Sequence, residues 1–113
     1  MAKNNWRVSE SEIEFIKKAI KNKLTGKYLI KFETELAKKF KTNYAIAVNS
    51  GTSALHTALY ALGINAGDEV IVPPLTFSAT AFAVMFLGAK PVFADVDIET
   101  FNICPKSIEK KNK

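Results

Sequence analysis

Tyr44-Ala-Ile-Ala-Val48, then Asn49-Ser-Gly-Thr-Ser53, then Ala54 through Gly63 form the stretch on which the fold turns. The first five residues are a short, nearly continuous apolar run, as in a strand buried on both faces of a parallel sheet. Ala54, Leu55, Ala58, Leu59 and Leu62 then recur at helical spacing, and Gly63 stands where a left-handed C-terminal cap is wanted. The polar residues between them are a strand-to-helix turn. Successive backbone N–H groups at a helix N-terminus, with Gly51 permitting close approach and Ser50, Thr52 and Ser53 offering hydroxyls, suit a phosphate. The alternative is a tight turn with a serine cap. No G-x-G-x-x-G is present, and Thr25-Gly26-Lys27 lacks the upstream glycine and following hydroxyl residue of a Walker loop.

Working outward, Glu69-Val-Ile-Val72 reads as a second strand, ended by Pro73-Pro74. Ser78 is placed to cap a helix through Leu87, with Gly88 as its stop, and Pro91-Val-Phe-Ala94 reads as a third strand. Strand alternating with helix implies crossovers and a parallel sheet, an α/β fold. Pro105 is suited to the first position of a last helix, with Cys104 a poor cap before it. On the N-terminal side, Ile13, Ile16, Ile20 and Leu24 follow one helical face. Ser9 with Glu12, and Val8 with Ile13, fit a capping box and staple. Phe32, Leu36, Ala37 and Phe40 begin a second helical stripe.

The 113 residues have the size of one core, and 48% hydrophobic with 24% charged residues is the balance of a globular protein. The net charge of +5 is unevenly spread. Residues 1–41 hold eleven Lys and Arg against five acidic residues, residues 42–104 one against five, and residues 105–113 four against one. The basic residues lie on helical faces without interleaved aromatics, so a solvated surface explains them better than a nucleic-acid partner. Cys104 is alone, so it forms no internal disulfide and no metal site, in keeping with a reducing compartment. No apolar run approaches the ~20 residues of a membrane span, and Met1-Ala-Lys-Asn-Asn-Trp6 lacks a signal peptide's apolar core. The expected location is the cytoplasm, with no membrane partner.

Pro73-Pro-Leu-Thr-Phe77 follows the second strand at the edge of the sheet where ligands bind, and an aromatic there can cover a planar ring. Position favours Phe77, while Phe82, Phe86 and Phe93 are expected in the core. Asp95 and Asp97 leave the third strand without a base or metal-ligand partner and read as turn formers. His56, inside a helix, reads as a packed residue, and no residue is assigned a catalytic or metal-binding role.

Four groups of residues in this order and spacing carry a resemblance: Ser50-Gly-Thr-Ser-Ala-Leu-His56, Gly67-Asp-Glu-Val-Ile-Val-Pro73, Thr76-Phe77, and Gly88-Ala-Lys-Pro-Val-Phe93 followed by Asp95-Val-Asp97. Together they resemble the N-terminal part of the DegT/DnrJ/StrS family of pyridoxal-phosphate-dependent sugar aminotransferases, from about Val8 to Ile108. The resemblance implies the front of an aspartate-aminotransferase-like (fold type I) large domain, three βα units preceded by two helices. Residues 1–41 would be an N-terminal helical segment and residues 42–113 a partial cofactor-binding large domain. It implies a cofactor phosphate held at Gly51, Thr52 and Ser53, and Phe77 stacked on the pyridine ring. The implied reaction passes nitrogen from an amino acid such as glutamate to a ketone on a nucleotide-linked sugar, for a surface polysaccharide or related product, in a homodimer. The family's Schiff-base lysine and pyridinium-binding aspartate lie in later segments, and no lysine here has that context. The expectation is therefore an N-terminal fragment inactive alone; the alternative is a noncatalytic phosphate-binding or interaction module derived from the same fold.

Overall fold

The structure is a computed structural model that describes residues 8–22 and 26–112. Its contacts divide the chain into two units, Met1–Ala47 and Val48–Lys113.

In the first unit, α1 (Glu10–Lys21) starts after Ser9, whose N–H donates to Glu12 Oε2 at 2.6 Å, the glutamate half of a capping box. The Ser9 hydroxyl donates to the same carboxylate, and these bonds, the hydroxyl's foremost, hold the Glu12 carboxyl below its ordinary value. Leu24, expected to extend the apolar stripe of α1, lies outside the described residues. The second helix, α2 (Lys27–Phe40), is closed by Lys41 at φ 54°. Lys41 N–H reaches the Lys38 carbonyl and Thr42 N–H the Ala37 carbonyl, the two bonds of a Schellman motif.

The expected strand Tyr44–Val48 does not form. It keeps the alternation of one, with Ala45 and Ala47 half-buried and Tyr44, Ile46 and Val48 exposed, but it has no ladder partner among the described residues. A strand exists only as part of a ladder, so an apolar pattern without a neighbour stays irregular. The Ala47 N–H is instead taken by the Glu33 carboxylate at 2.9 Å.

In the second unit, α3 (Gly51–Ala61) ends where the sequence places its stop. Gly63 sits at φ 83°, its N–H on the Tyr60 carbonyl and that of Ile64 on the Leu59 carbonyl. β1 (Glu69–Val72) and β2 (Lys90–Phe93) pair in parallel, from Glu69 opposite Lys90 to Val72 opposite Phe93. They are joined through α4 (Ala79–Met85), which packs on both strands and on α3. Lys90 Nζ lies 2.7 Å from Glu69 Oε1 across the pair, and that hydrogen bond raises the Lys90 pKa. The final helix, α5 (Pro105–Lys111), has Pro105 in its first turn, as expected, and no side-chain cap from Cys104.

Two expectations about α4 need correction. It ends at Met85, short of Leu87, and Ser78 does not cap it through its side chain. Ser78 is itself helical (φ −55°, ψ −22°), because the Phe77 carbonyl already accepts the Thr80 N–H and starts the helical turn one residue earlier. The core is made of small side chains: Val72, Val84 and Ala89 are its centre, with Leu59, Ile64 and Val70 against them. Phe82, Phe86 and Phe93 are not in it, being 46%, 63% and 51% exposed. Ala79, Ala83 and Val84 supply the buried positions of α4 and leave Phe82, and Phe86 just after it, half-buried or exposed.

Candidate functional site

The turn between residues 49 and 53 is fixed by its own polar side chains. Ser50, extended at φ −159°, is the N-cap of α3, and its Oγ accepts the Ser53 N–H at 3.1 Å. The Ser50 hydroxyl donates to Ser53 Oγ at 3.0 Å, and the Ser53 hydroxyl to Asn49 Oδ1 at 2.7 Å. The Ser50 carbonyl accepts the Ala54 N–H, and among the described residues the N–H groups of Gly51 and Thr52 at the start of α3 have no acceptor. The helix dipole adds a partial positive charge at the same place.

Gly51 is not required by the backbone. Its φ is not positive, and nothing lies within 4 Å of the place a Cβ would occupy. Gly51 lines a cleft of about 710 Å³ between the first turns of α3 and the start of α4. Gly51, Thr52 and Leu55 line one side of it and Phe77 and Thr80 the other. Of the four residues expected at the site, Gly51, Thr52 and Phe77 are thus brought to one cleft. Ser53 does not line it, its hydroxyl being turned into the cap network.

Phe77 is 79% exposed and takes no part in the core of this chain. Its carbonyl is held at the start of α4 while its ring is left to the cleft. The hydroxyls of Thr76 and Thr80 share a hydrogen bond of 3.2 Å beside it. His56 lies edge-on to Phe86, with ring centroids 6.0 Å apart, and Phe86 stacks on Phe82, so the histidine is a packed residue. Asp97 is the turn former the sequence suggests. Its Oδ1 accepts from Thr100 N–H, Glu99 N–H and the Thr100 hydroxyl, the first of these bonds doing most to lower its pKa. Asp95 accepts from the neighbouring Val96 N–H, while its own N–H is held by Ser107 Oγ at 2.8 Å. Among the described residues no cluster of acidic, histidine and cysteine side chains suits a metal, and no helix is long and apolar enough to cross a membrane. In the first unit, a second cleft of about 390 Å³ beside the end of α2 is lined by Glu33, Lys38 and Lys41 and has no aromatic but Tyr44.

A model of the DegT/DnrJ/EryC1/StrS aminotransferase family matches residues 7–112. The chain belongs to that family. A GDP-perosamine synthase of Escherichia coli O157:H7 is 49% identical over 86 residues, covering 76% of this chain and 24% of the relative. Among solved structures, an aminotransferase from Psychrobacter cryohalolentis superposes with a TM-score of 0.84 at 44% identity, over 91% of this chain and 27% of that one. The Bacillus subtilis protein NtdA with bound PMP, the amine form of the cofactor, gives 0.83 at 38% identity, over 94% and 26%. The fold is therefore the front of a fold type I large domain, and the chain spans about a quarter of the length of the curated relatives it matches.

Three residues not expected from the sequence stand at the turn or the cleft: Asn49, Leu55 and Thr80. The only sequence signal of Asn49 is an amide one residue before a helix cap. Leu55 and Thr80 line the cleft because each lies within one helical turn of a recognised residue, Leu55 after Thr52 and Thr80 after Phe77.

Proposed function

We propose that this chain supplies the phosphate turn and ring-covering aromatic of a pyridoxal-phosphate-dependent aminotransferase acting on nucleotide-linked keto sugars. The product would be an amino sugar for a surface polysaccharide or a related compound. The names of relatives such as GDP-perosamine synthase and the spore coat polysaccharide protein SpsC support the substrate class. The observation that supports the site is Gly51: neither conformation nor packing asks for glycine there, and it lines the same cleft as Thr52 and Phe77.

The residues fit the cofactor. Gly51 and Thr52 would hold its phosphate through backbone N–H groups at the α3 N-terminus, in the turn that Ser53 completes. Phe77 would cover one face of its ring. Leu55 and Phe77 would keep water from that ring, which favours charge-dependent steps beside it. When bound, the cofactor supplies an electron sink for reactions at an amino-acid carbon. The lysine that moves the proton would come from a later segment, with residues 1–113 supplying binding groups only. The active form would be a homodimer in the cytoplasm, taking an amino-acid donor and a nucleotide sugar, with neither nucleic acid nor membrane as partner.

Gly51→Val tests the reading in the holoenzyme that carries these residues. The added side chain enters open space, so thermal stability should hold, while affinity for pyridoxal phosphate should fall by about tenfold or more with loss of the phosphate contacts. Unchanged affinity for the cofactor would reject the site.

A further inference from the structure

Two of the helices carry no charge on any side. There is no Lys, Arg, Asp or Glu between Val48 and Gly67 or between Val70 and Ala89, the stretches that contain α3 and α4. The other helices, α1, α2 and α5, are each rich in lysine and carry glutamate as well. A helix whose outer side meets water has polar and charged residues there, whereas one without them is covered. Among the described residues that cover is missing. At 3.6 residues per turn Phe82, Met85 and Phe86 fall within one arc of about 100°, and Val84, which packs on Val72 and Ala89, falls on the opposite side. Phe82, Met85 and Phe86 are 46%, 53% and 63% exposed. The rings are already set against one another, Phe82 stacked on Phe86 and His56 of α3 edge-on to Phe86. Tyr60, one turn after His56 and 69% exposed, extends the patch along α3.

We propose that the face formed by Phe82, Met85 and Phe86 with His56 and Tyr60 is where a second copy of this chain docks. The inference rests on the homodimer reading above and names its surface. A two-fold contact sets one patch against itself, so a patch without charges meets no like charge across the axis. Aromatic enrichment with depletion of charge is also the composition of an interface core. The exposed parts of Tyr60, Phe82 and Phe86 alone amount to roughly 350 Å², close to half of the ~800 Å² that each partner gives to a stable contact. Further strands of the same sheet would not supply the cover. A parallel sheet grows sideways from β1 or β2, and each added crossover helix lies beside α4, not over the side opposite Val84.

The test is sedimentation of the holoenzyme that carries these residues, which gives the dimer dissociation constant, beside thermal unfolding at several protein concentrations. Phe86→Lys and Tyr60→Lys should each raise that constant by about a hundredfold or more, because the symmetry places the uncompensated charge in the contact twice. Phe86→Leu, which keeps an apolar side chain, should raise it far less. The lysine variants should remain folded as monomers, with a melting temperature that no longer rises with protein concentration. Should Phe86→Lys fail to fold, Tyr60→Lys decides, since that side chain is the most exposed of the patch. Lysine variants that stay dimeric with an unchanged constant, whether or not they melt lower, would show that this face is covered by its own chain or by nothing. That result overturns the inference and leaves the homodimer reading standing. A wild-type holoenzyme that sediments as a monomer overturns both.

Discussion

Phe77→Ala separates a site residue from a core residue by two measurements that move in opposite senses. Phe77 is 79% exposed within residues 1–113, so this chain covers about a fifth of the residue. An aromatic side chain buries roughly 200 Å² when fully enclosed, so a fifth is about 40 Å², or about 1 kcal/mol at most at ~25 cal/mol per Å². A buried phenylalanine truncated to alanine costs about 3–5 kcal/mol. The expected loss of stability is therefore small. Against the cofactor, an offset-stacked ring contributes about 1 kcal/mol, which is about a fivefold weaker dissociation constant for pyridoxal phosphate. Phe77→Tyr keeps the ring and should retain the affinity, while Phe77→Leu keeps apolar area without a π face and should fall between the two. The assay is cofactor titration of the holoenzyme by absorbance, paired with a denaturant melt. An unchanged dissociation constant with a loss of about 3 kcal/mol or more in stability would place Phe77 in the core and refute the reasoning.

Other expectations concern the scaffold around the site. Gly88→Ala should destabilise the second unit by about 1–3 kcal/mol in a denaturant melt, because the residue sits at φ 72° and a Cβ would stand 3.0 Å from that of Ala66. The Glu69–Lys90 pair raises the lysine pKa above 10.5, so its contribution is present below that pH and is lost as pH rises through the raised value. Glu69→Gln should remove that alkaline limb from a plot of melting temperature against pH, and a limb that persists would assign it elsewhere. In the free 113-residue chain, the amides of Tyr44, Ala45 and Ile46 should exchange at nearly the unfolded rate, since Tyr44 is 85% and Ile46 74% exposed without a ladder. Strong cooperative protection of Tyr44–Val48 in a monodisperse monomer would contradict this.

Much of the fold is legible because each local signal is self-contained. Glu69–Val72 is bounded by prolines that end a strand, and the third strand is displaced by one residue only, to Lys90–Phe93. Gly63 stops α3 because a left-handed cap depends on its own φ and on two carbonyls one turn back. Tyr44–Val48 carries the apolar run of a buried strand without a ladder, since a ladder depends on a second segment that an apolar run does not reveal. The phenylalanines of α4 and β2 fail likewise: an apolar residue is visible in sequence, but what covers it is not. At the candidate site, residue type leaves the turn open between a serine cap and a phosphate site, and it is the resemblance that names Gly51, Thr52 and Phe77, which line one cleft. The diversion of the Ser53 hydroxyl to Asn49 was not legible, because hydroxyl rotors follow their nearest acceptor and that depends on the turn's conformation.

The central claim, that the N-terminus of α3 holds the cofactor phosphate, is tested most directly by following backbone amide resonances of the holoenzyme as pyridoxal phosphate is added to its cofactor-free form. The amides of Gly51 and Thr52 should shift most, saturating together with the cofactor's absorbance change, while that of Ser53, bonded to Ser50 Oγ, moves little. Silent Gly51 and Thr52 amides, with the largest shifts instead at Lys38 and Lys41 beside the cleft of the first unit, would contradict it.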